Sequence, residues 1–415
     1  MHRQYGLIGE KLGHSFSKEI HKRIAPYPYE LKEVAPQDLA TFMTEATFDA
    51  INVTIPYKTA VIPYLAHVDT RAAAIGAVNT VVKREGKLYG YNTDYFGMEY
   101  LATSAQIPLT GERVLILGSG GTSRTAKALC EDLGAARVCR VGRVAKEGVV
   151  DYTTAYDTLT DTTVIINTTP VGMYPMCDGI PIDLDRFPHL KGVLDVVYNP
   201  LTTKLVLEAK KRGIPATSGL PMLVAQAVAA AELFLDTPIS RNVLEETVAY
   251  MTREKAYLIL IGMPGCGKSS VGSLVAQKLG RPCIDIDEEI VRVVGCDIPT
   301  IFKTYGEEYF RDLESRVLKE VLYHQRGAVI CTGGGVPVRE ENRDVLHSTG
   351  VVYWLDRSLA HLCPTEDRPT ASTYEAMRAR YEERYPIYQA TAHHRIDGDG
   401  TIEEVANAII EEFCK

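Results

Sequence analysis

Tryptophan appears once among 415 residues, and several larger features are missing altogether. No apolar run approaches the roughly 20 residues that cross a bilayer, and the opening MHRQYGLIGEKLGHS has no apolar core long enough for a signal peptide. Both absences argue against membrane insertion and export, so a cytoplasmic protein with no membrane partner is expected. Basic residues are in deficit: 45 Lys and Arg against 53 Asp and Glu give a formal net charge of −8. Nucleic-acid binders present basic surfaces, so no nucleic-acid partner is expected, whereas small anionic substrates need only local basic pockets. Cys-x-x-Cys pairs are absent and the nine cysteines are odd in number, which points to reduced thiols and no metal site built from them. Gly/Ser-rich or Pro-rich linkers, internal repeats and low-complexity segments are missing too. What is there, 46% hydrophobic and 24% charged residues over a length beyond one ordinary core, suits a soluble globular chain of two or three domains.

The most informative stretch is YLILIGMPGCGKSS, residues 257–270. An apolar run suited to a buried parallel strand ends at Gly262, and SSVGSLVAQKLG after Lys268 carries apolar positions at helical spacing. Strand, glycine loop and helix form the context of a phosphate-binding loop. Gly265, Cys266 and Gly267 would turn backbone N–H groups onto phosphate oxygens, Lys268 adds a cation, and the Ser269 hydroxyl can ligate Mg²⁺. A plain glycine turn is the bland alternative, and the flanking strand and helix argue against it.

Earlier in the chain, YGLI reads as a first strand and leads to a helix with Ser15 and Ser17 near its start. Paired hydroxyls at a helix N-terminus can hold a carboxylate, although Ser17 alone reads first as an N-cap. DAINVTIPYKTAVI (49–62) reads as a strand stopping at Pro56 that delivers Lys58 to the start of a helix. Most lysines are solvated surface charge, and Asp94, in the later polar cluster YNTD, is the candidate partner that would make Lys58 more than that. RVLILGSGG (113–121) is a buried strand entering Gly118, Gly120 and Gly121. It reads as a dinucleotide-binding turn in which Ser123 replaces the third glycine of the usual fingerprint. The next strand, ARVCRVGR, ends in Arg140 and Arg143 where NAD enzymes place a carboxylate, which favours NADP. A helix over 222–235 is apolar on nearly every face, so it is expected between layers, with Gln226 as its conspicuous polar residue. A further helix over about 240–251 follows, joined to the phosphate-loop strand by residues 252–255.

Beyond the phosphate loop, CIDID (283–287) reads as a strand ending in two alternate carboxylates, Asp285 and Asp287. Arg311 and Glu314 share a helix face, Gly333 to Gly335 mark a close backbone approach, and the polar residues 364–373 suit a mobile lid. Arg384 lies in RYPIY before a strand, and the final helix carries Ile402, Val405, Ala406, Ile409, Ile410 and Phe413 on one stripe.

These motifs carry a family match in each half. Residues 1 to about 252 resemble shikimate dehydrogenase through GLIGEKLGHSFSKEIH, INVTIPYK, GAVNT, YNTD, LGSGGTSRT, NTTPVGM, VVYNPLTT and GLPMLVAQA. Residues from about 256 resemble shikimate kinase through GMPGCGKSS, DIDEEI, GEEYFRDLES, TGGG, DRP and RYPIY. The resemblance implies an α/β fold throughout: a two-lobed dehydrogenase with a Rossmann NADP-binding lobe, then a P-loop kinase domain with a parallel sheet. The expected division is a substrate lobe over 1–105, completed by about 220–252, an NADP lobe over 106–219, and the kinase over 256–415.

The dehydrogenase resemblance implies that Ser15 and Ser17 hold the substrate carboxylate, that Thr54, Asn79, Tyr198 and Gln226 line the ring hydroxyls, and that Lys58 and Asp94 are the catalytic pair. Gly118, Ser119, Gly120, Gly121 and Thr122 would seat the NADP(H) pyrophosphate, with Arg143 at the 2′-phosphate and Gly219 near the nicotinamide. The kinase resemblance implies ATP on Gly265, Cys266, Gly267, Lys268, Ser269 and Ser270, Mg²⁺ at Ser269 with Asp285 reached through water, and shikimate held by Arg311, Gly334 and Arg384. Asp287 would accept the attacking hydroxyl's proton, with Lys268 and the lid residue Arg368 stabilising the transferring phosphoryl group. Two departures stand out: the family's Asn-Arg-Thr is Gly142-Arg143-Val144 here, and its Arg-Pro-Leu-Leu is Arg368-Pro369-Thr370-Ala371. The implied activity is reduction of 3-dehydroshikimate with NADPH and phosphorylation of shikimate with ATP. Alternatives are an NAD-using quinate-type dehydrogenase fused to another small-molecule kinase, or an inactive sensor or repressor on the same folds. Retention of Lys58, Asp94, Lys268 and Asp287 together argues against the sensor.

Overall fold

The computed structural model describes residues 4–13, 15–324, 327–362 and 374–415. The expected lid, with Arg368, lies outside the described residues. The chain forms two compact units, residues 1–199 with 203–251, and residues 200–202 with 252–415. Among the described residues, no helix is long and apolar enough to cross a membrane.

The described residues of the first unit form two six-stranded sheets. In the first, β1 (Tyr5–Gly9), β2 (Tyr29–Glu33), β3 (Ala50–Val53), β4 (His67–Val68), β5 (Thr80–Arg84) and β6 (Lys87–Tyr91) lie in the order β2-β1-β3-β5-β6-β4. β1 runs parallel to β2 and β3, while β5 is antiparallel to both β3 and β6. The second sheet is wholly parallel: β7 (Arg113–Leu117), β8 (Arg137–Gly142), β9 (Val150–Asp151), β10 (Val164–Asn167), β11 (Gly192–Asp195) and β12 (Ala216–Thr217), ordered β12-β11-β10-β7-β8-β9. This is the doubly wound dinucleotide-binding order, and its Val/Ile/Leu runs are what a parallel sheet covered on both faces demands. Leu115, Ile116, Leu117, Val164, Ile165 and Ile166 are all fully buried. From β7 the chain winds to one side and from β10 to the other, so the switch-point crevice lies outside the carboxyl ends of these two strands.

Among the described residues, the second unit holds one parallel sheet of five strands, β13 (Tyr257–Ile261), β14 (Cys283–Asp285), β15 (Val329–Cys331), β16 (Gly350–Asp356) and β17 (His394–Asp397), ordered β14-β15-β13-β16-β17. The YLILI strand is central and buried along its whole length. Here the switch point falls between β13 and β16, because β13 leads to one side of the sheet and β16 to the other.

Several local expectations change. Ser17 is the first residue of the helix Ser17–Ile24 rather than its N-cap, which is Phe16. Lys58 sits in a turn, not at a helix start, and only a short 3₁₀ segment, Ile62–Tyr64, follows. Pro63 accounts for this: it has no N–H to donate and its ring would clash with a helical carbonyl four residues back. Asp287 lies in the first turn of the helix Ile286–Val294, and Asp285 caps that helix by accepting from the Asp287 N–H at 3.0 Å. The strand pattern and the cap share the same residues, and the cap wins because Asp is a strong N-cap former. The junction at 252–255 is not a linker, since the helix Arg241–Lys255 runs through it. Thr252-Arg-Glu-Lys contains no breaker to stop that helix. In the last helix, Ile402–Cys414, Val405, Ala406, Ile409 and Phe413 are buried, whereas Ile402 at the N-terminal end is half exposed.

The helix Leu220–Leu235 packs against Asp94–Ser104 at a crossing with no spare room. A Cβ on Gly97 would come within 2.6 Å of the Met222 carbonyl oxygen and 3.0 Å of Gln226 Cβ. Gly97→Val should therefore force the helices apart and cost about 2 kcal/mol or more. Calorimetry should show a lowered melting transition for the first unit. An unshifted transition would mean that the crossing can relax.

Candidate active sites

A cavity of about 520 Å³ opens in the first unit and brings together Ser15, Ser17, Thr54, Lys58, Asn79, Asp94, Thr122, Tyr198, Gly219 and Gln226. At its heart, Lys58 Nζ lies 2.6 Å from Asp94 Oδ2. Lys58 arrives on the turn after β3, and Asp94 is the first residue of the helix that follows β6. Asn79, just before β5, donates from Nδ2 to Asp94 Oδ1 at 3.0 Å and to Gln226 Oε1 at 3.3 Å. Its amide orientation is fixed from behind, because Asn79 Oδ1 accepts from the Thr93 N–H at 2.7 Å and from the Thr80 hydroxyl at 3.1 Å. Asn52 extends this buried network: it accepts from the Tyr29 hydroxyl at 2.7 Å and donates to Thr80 Oγ1 at 3.1 Å. His21 stacks on Tyr29 with ring centroids 3.8 Å apart, and burial pushes its pKa down to about 3, so no imidazolium charge enters the network. The serines form their own unit, with Ser15 Oγ donating to Ser17 Oγ at 3.1 Å and accepting from the Ser17 N–H at 3.2 Å. Tyr198 stands with its ring tilted on Phe16, centroids 5.2 Å apart.

Gly118, Ser119, Gly120 and Gly121 lie outside the cavity lining, on the turn between β7 and the helix Gly121–Asp132. Gly118 has φ +121°, and a Cβ there would come 2.5 Å from Thr168 Oγ1, beyond the end of β10. Gly120 occupies the N-cap with no side chain and open space around it, so the helix N-terminus presents bare backbone. That cradle fits a pyrophosphate at the switch point. Arg143 follows β8 directly and is exposed.

In the second unit, Lys268 begins the helix Lys268–Leu279 and is buried, with Nζ donating to the Gly262 and Met263 carbonyls at 3.0 Å each. Gly267, its N-cap, has φ +97° and supplies no side-chain cap, so this loop too offers backbone to a phosphate. Ser270 is exposed on the same first turn. The Ser269 hydroxyl donates to Asp285 Oδ2 at 2.6 Å, an all-oxygen pair of the kind Mg²⁺ prefers. Around Gly333–Gly335 the backbone is crowded. A Cβ would meet Asp287 Oδ1 at 2.6 Å and Glu314 Oε1 at 2.7 Å from Gly333, the Pro264 ring at 2.7 Å from Gly334, and the Arg311 guanidinium at 2.0 Å from Gly335. Arg311 pairs with Glu314 at 2.8 Å and Glu307 at 3.2 Å. Burial pushes the Glu314 carboxyl above its usual range, against the pull of Arg311. Arg384 is buried on the helix Tyr374–Thr391, with Nε lacking a partner among the described residues.

A family model for the shikimate dehydrogenase substrate binding domain matches residues 7–81, and one for shikimate kinase matches residues 264–414. The shikimate dehydrogenase (NADP(+)) of Clostridium perfringens strain SM101 is 35% identical over 264 residues, covering 58% of this chain and 97% of that protein. The chain belongs to the shikimate dehydrogenase family. It carries a second enzyme domain, shikimate kinase, at its C-terminal end. Among solved structures, shikimate dehydrogenase 1 from Peptoclostridium difficile is 32% identical with a TM-score of 0.55, covering 60% of this chain and 97% of that one. The shikimate 5-dehydrogenase of Thermus thermophilus, in complex with NADP(H) and shikimate, is 27% identical with a TM-score of 0.55, covering 60% and 99%.

Sequence reasoning passed over several residues of the shikimate dehydrogenase half. Met173, Tyr174, Asn199 and Met222 line its cavity, and Asn52, Thr80 and Thr93 orient Asn79. All but Tyr174 fall inside quoted motifs, so adjacency to the named residues was the available signal. Asp195 was also overlooked. Wholly buried at the end of β11, it accepts from Asn167 Nδ2 at 2.9 Å, the Val197 N–H at 3.0 Å and Thr203 Oγ1 at 2.7 Å, and so ties down the segment that presents Tyr198. Burial pushes its pKa from 3.8 to about 7, although the three hydrogen bonds pull the other way. Folded Asp195 therefore holds its proton more tightly than the unfolded chain does. Its stabilising contribution is complete below the unfolded value of about 4 and is lost as pH rises toward 7. Asp195→Asn should remove that decline from a plot of first-unit melting temperature against pH. Superimposable profiles would show that Asp195 does not titrate in this range.

Proposed function

We propose that the chain is a bifunctional enzyme that reduces 3-dehydroshikimate to shikimate with NADPH and phosphorylates shikimate to shikimate 3-phosphate with ATP. The observation that carries the reading is the Lys58–Asp94 pair, 2.6 Å apart within a cavity that also holds the paired serines and the Asn79–Gln226 amides.

When bound, NADPH supplies a hydride to the ketone carbon. Lys58 Nζ holds the proton that the ketone oxygen needs as negative charge grows there, and a donor so placed lowers the barrier. Asp94 Oδ2 keeps Nζ aimed, while its other oxygen is held by Asn79. Ser15 and Ser17 supply hydroxyls for the substrate carboxylate, and Thr54, Asn79, Tyr198 and Gln226 supply polar groups for the ring hydroxyls. The bare turn at Gly118 to Thr122 would hold the pyrophosphate, with Gly219 beside the nicotinamide. Arg143, standing where a ribose-binding carboxylate would select NAD, supports NADPH instead.

In the kinase half, ATP with Mg²⁺ supplies the phosphoryl group when bound at Gly265 to Ser270, with Ser269 and Asp285 toward the metal. Asp287 accepts the proton of the attacking hydroxyl. Lys268 Nζ offers to the transferring charge the protons now resting on two loop carbonyls. Arg311 and Arg384 supply guanidinium donors for the carboxylate of shikimate, and the unpartnered Arg384 Nε suits that part.

The deciding experiment is incubation with 3-dehydroshikimate, NADPH, ATP and Mg²⁺ while both cofactors are followed and the product is identified. Lys58→Ala should slow NADPH oxidation by roughly 100-fold or more, as loss of a general acid does, and leave ADP formation from added shikimate intact. Lys268→Ala should do the reverse, abolishing ADP formation while reduction continues. Near-parental rates in either variant would remove the role given to that lysine.

A further inference from the structure

We infer that Arg357 is a nucleotide-binding residue of the kinase half, its guanidinium taking phosphate charge beside the phosphate loop. The inference rests on the kinase reading above and adds a contact that the motifs did not single out. Arg357 is the first residue after β16, and β16 and β13 are the neighbouring strands between which the winding of the sheet reverses. Ligands of open parallel sheets settle in the crevice outside the carboxyl ends of such strands. The phosphate loop leaves the end of β13, so Arg357 stands at the other lip of that crevice.

Distances agree with this placement. A Cβ on Gly267, the N-cap of the phosphate-loop helix, would lie 3.9 Å from Arg357 Nη1. A Cβ on Gly398, just past the end of β17, would lie 3.2 Å from Arg357 Cβ. The side chain therefore starts at the β17 loop and brings its cation to the positive end of the loop helix, where an anion is favoured and another cation is not.

Among the described residues, Arg357 also lacks the ion pair that a structural arginine would have. It is half-buried, and its Nε is closed to solvent with no hydrogen bond among the described residues. The carboxylates at the ends of β16 and β17 have hydrogen-bond partners of their own. Asp356 pairs with Arg395 at 2.6 Å, Asp399 accepts from the Ser358 N–H at 3.0 Å and lies 2.8 Å from His361 Nδ1, and Asp397 accepts from the Asp399 N–H at 3.0 Å. A half-buried guanidinium with no carboxylate partner among the described residues, facing a helix N-terminus, is a costly arrangement that a bound polyphosphate would relieve.

The chain's single tryptophan, Trp354, lies three residues upstream on β16, so tryptophan emission reports on the kinase half alone. Full-length protein, Arg357→Gln and Arg357→Lys would be titrated with Mg·ADP by calorimetry and by Trp354 emission, and separately with shikimate. Arg357→Gln should weaken ADP binding roughly 10-fold or more, as losing a charge-assisted bond does, with shikimate affinity and melting temperature unchanged. Arg357→Lys should recover part of the loss. Equal ADP affinity in parent and Arg357→Gln would overturn the inference and leave the kinase reading standing. A parent that binds no ADP would overturn the kinase reading itself. A loss of ADP and shikimate affinity together, with a lowered melting temperature, would make Arg357 a packing residue and equally overturn the inference.

Discussion

An ammonium and a carboxylate 2.6 Å apart, with side-chain exposures of only 18% and 9%, set the terms for the first unit. Withdrawing two such charges from water is costly, and their attraction offsets the cost only if the remaining acceptor positions are also filled. Asn79 fills one on Asp94, and it can do so only with its amide nitrogen on that side. The Thr93 N–H, the Thr80 hydroxyl and, behind them, Asn52 and Tyr29 make the choice for it. The mixed sheet serves this requirement, since the turn after β3, the start of β5 and the end of β6 meet at one place. Its antiparallel members put these polar residues beside one another across adjacent strands.

The second unit meets a similar demand by crowding. Three consecutive glycines allow Asp287, Glu314, Pro264 and Arg311 to press against one turn, and a side chain at Gly333 or Gly335 would displace Asp287 or Arg311, to which catalytic or binding roles are given. The Tyr388 hydroxyl, 2.6 Å from the Gly334 carbonyl, anchors that turn to the helix that carries Arg384. Lys268 satisfies itself on two loop carbonyls, so a ligand must replace those bonds with stronger ones. Polyphosphate, with several charged oxygens, meets that threshold better than a small monovalent ion does.

Much of this was legible in the chain. The strands β7 and β13 announce themselves as short runs of Ile, Leu and Val that run into glycine, and both phosphate-type turns are placed by the strand that precedes each and the helix that follows. Boundaries that depend on one residue's competing uses were misjudged. CIDID scans as five alternating strand residues, but Asp285 serves better as a cap and so moves Asp287 onto a helix. The residues around Lys58 scan as a helix start, and Pro63 keeps the segment a turn. Asp195 and Arg357 escaped for another reason. Each takes its meaning from neighbours distant in sequence, a ring of donors for one and a set of already occupied carboxylates for the other, and no local pattern encodes that.

The helix Arg241–Lys255 bears on how the halves could be excised from one another. Leu244, Thr247 and Met251 are its buried residues and fall within the first unit, whereas the last turn is claimed by the second. Arg281 donates to the Arg253 carbonyl at 2.9 Å and to that of Ala256 at 3.0 Å, and Arg253 reaches the Cys414 carbonyl at 3.0 Å. A kinase fragment cut at the start of β13 would forfeit these anchors for Arg281 and loosen the far end of its own chain. The severable point therefore lies inside a helix, one turn before its end, where neither a loop nor a change in composition marks it.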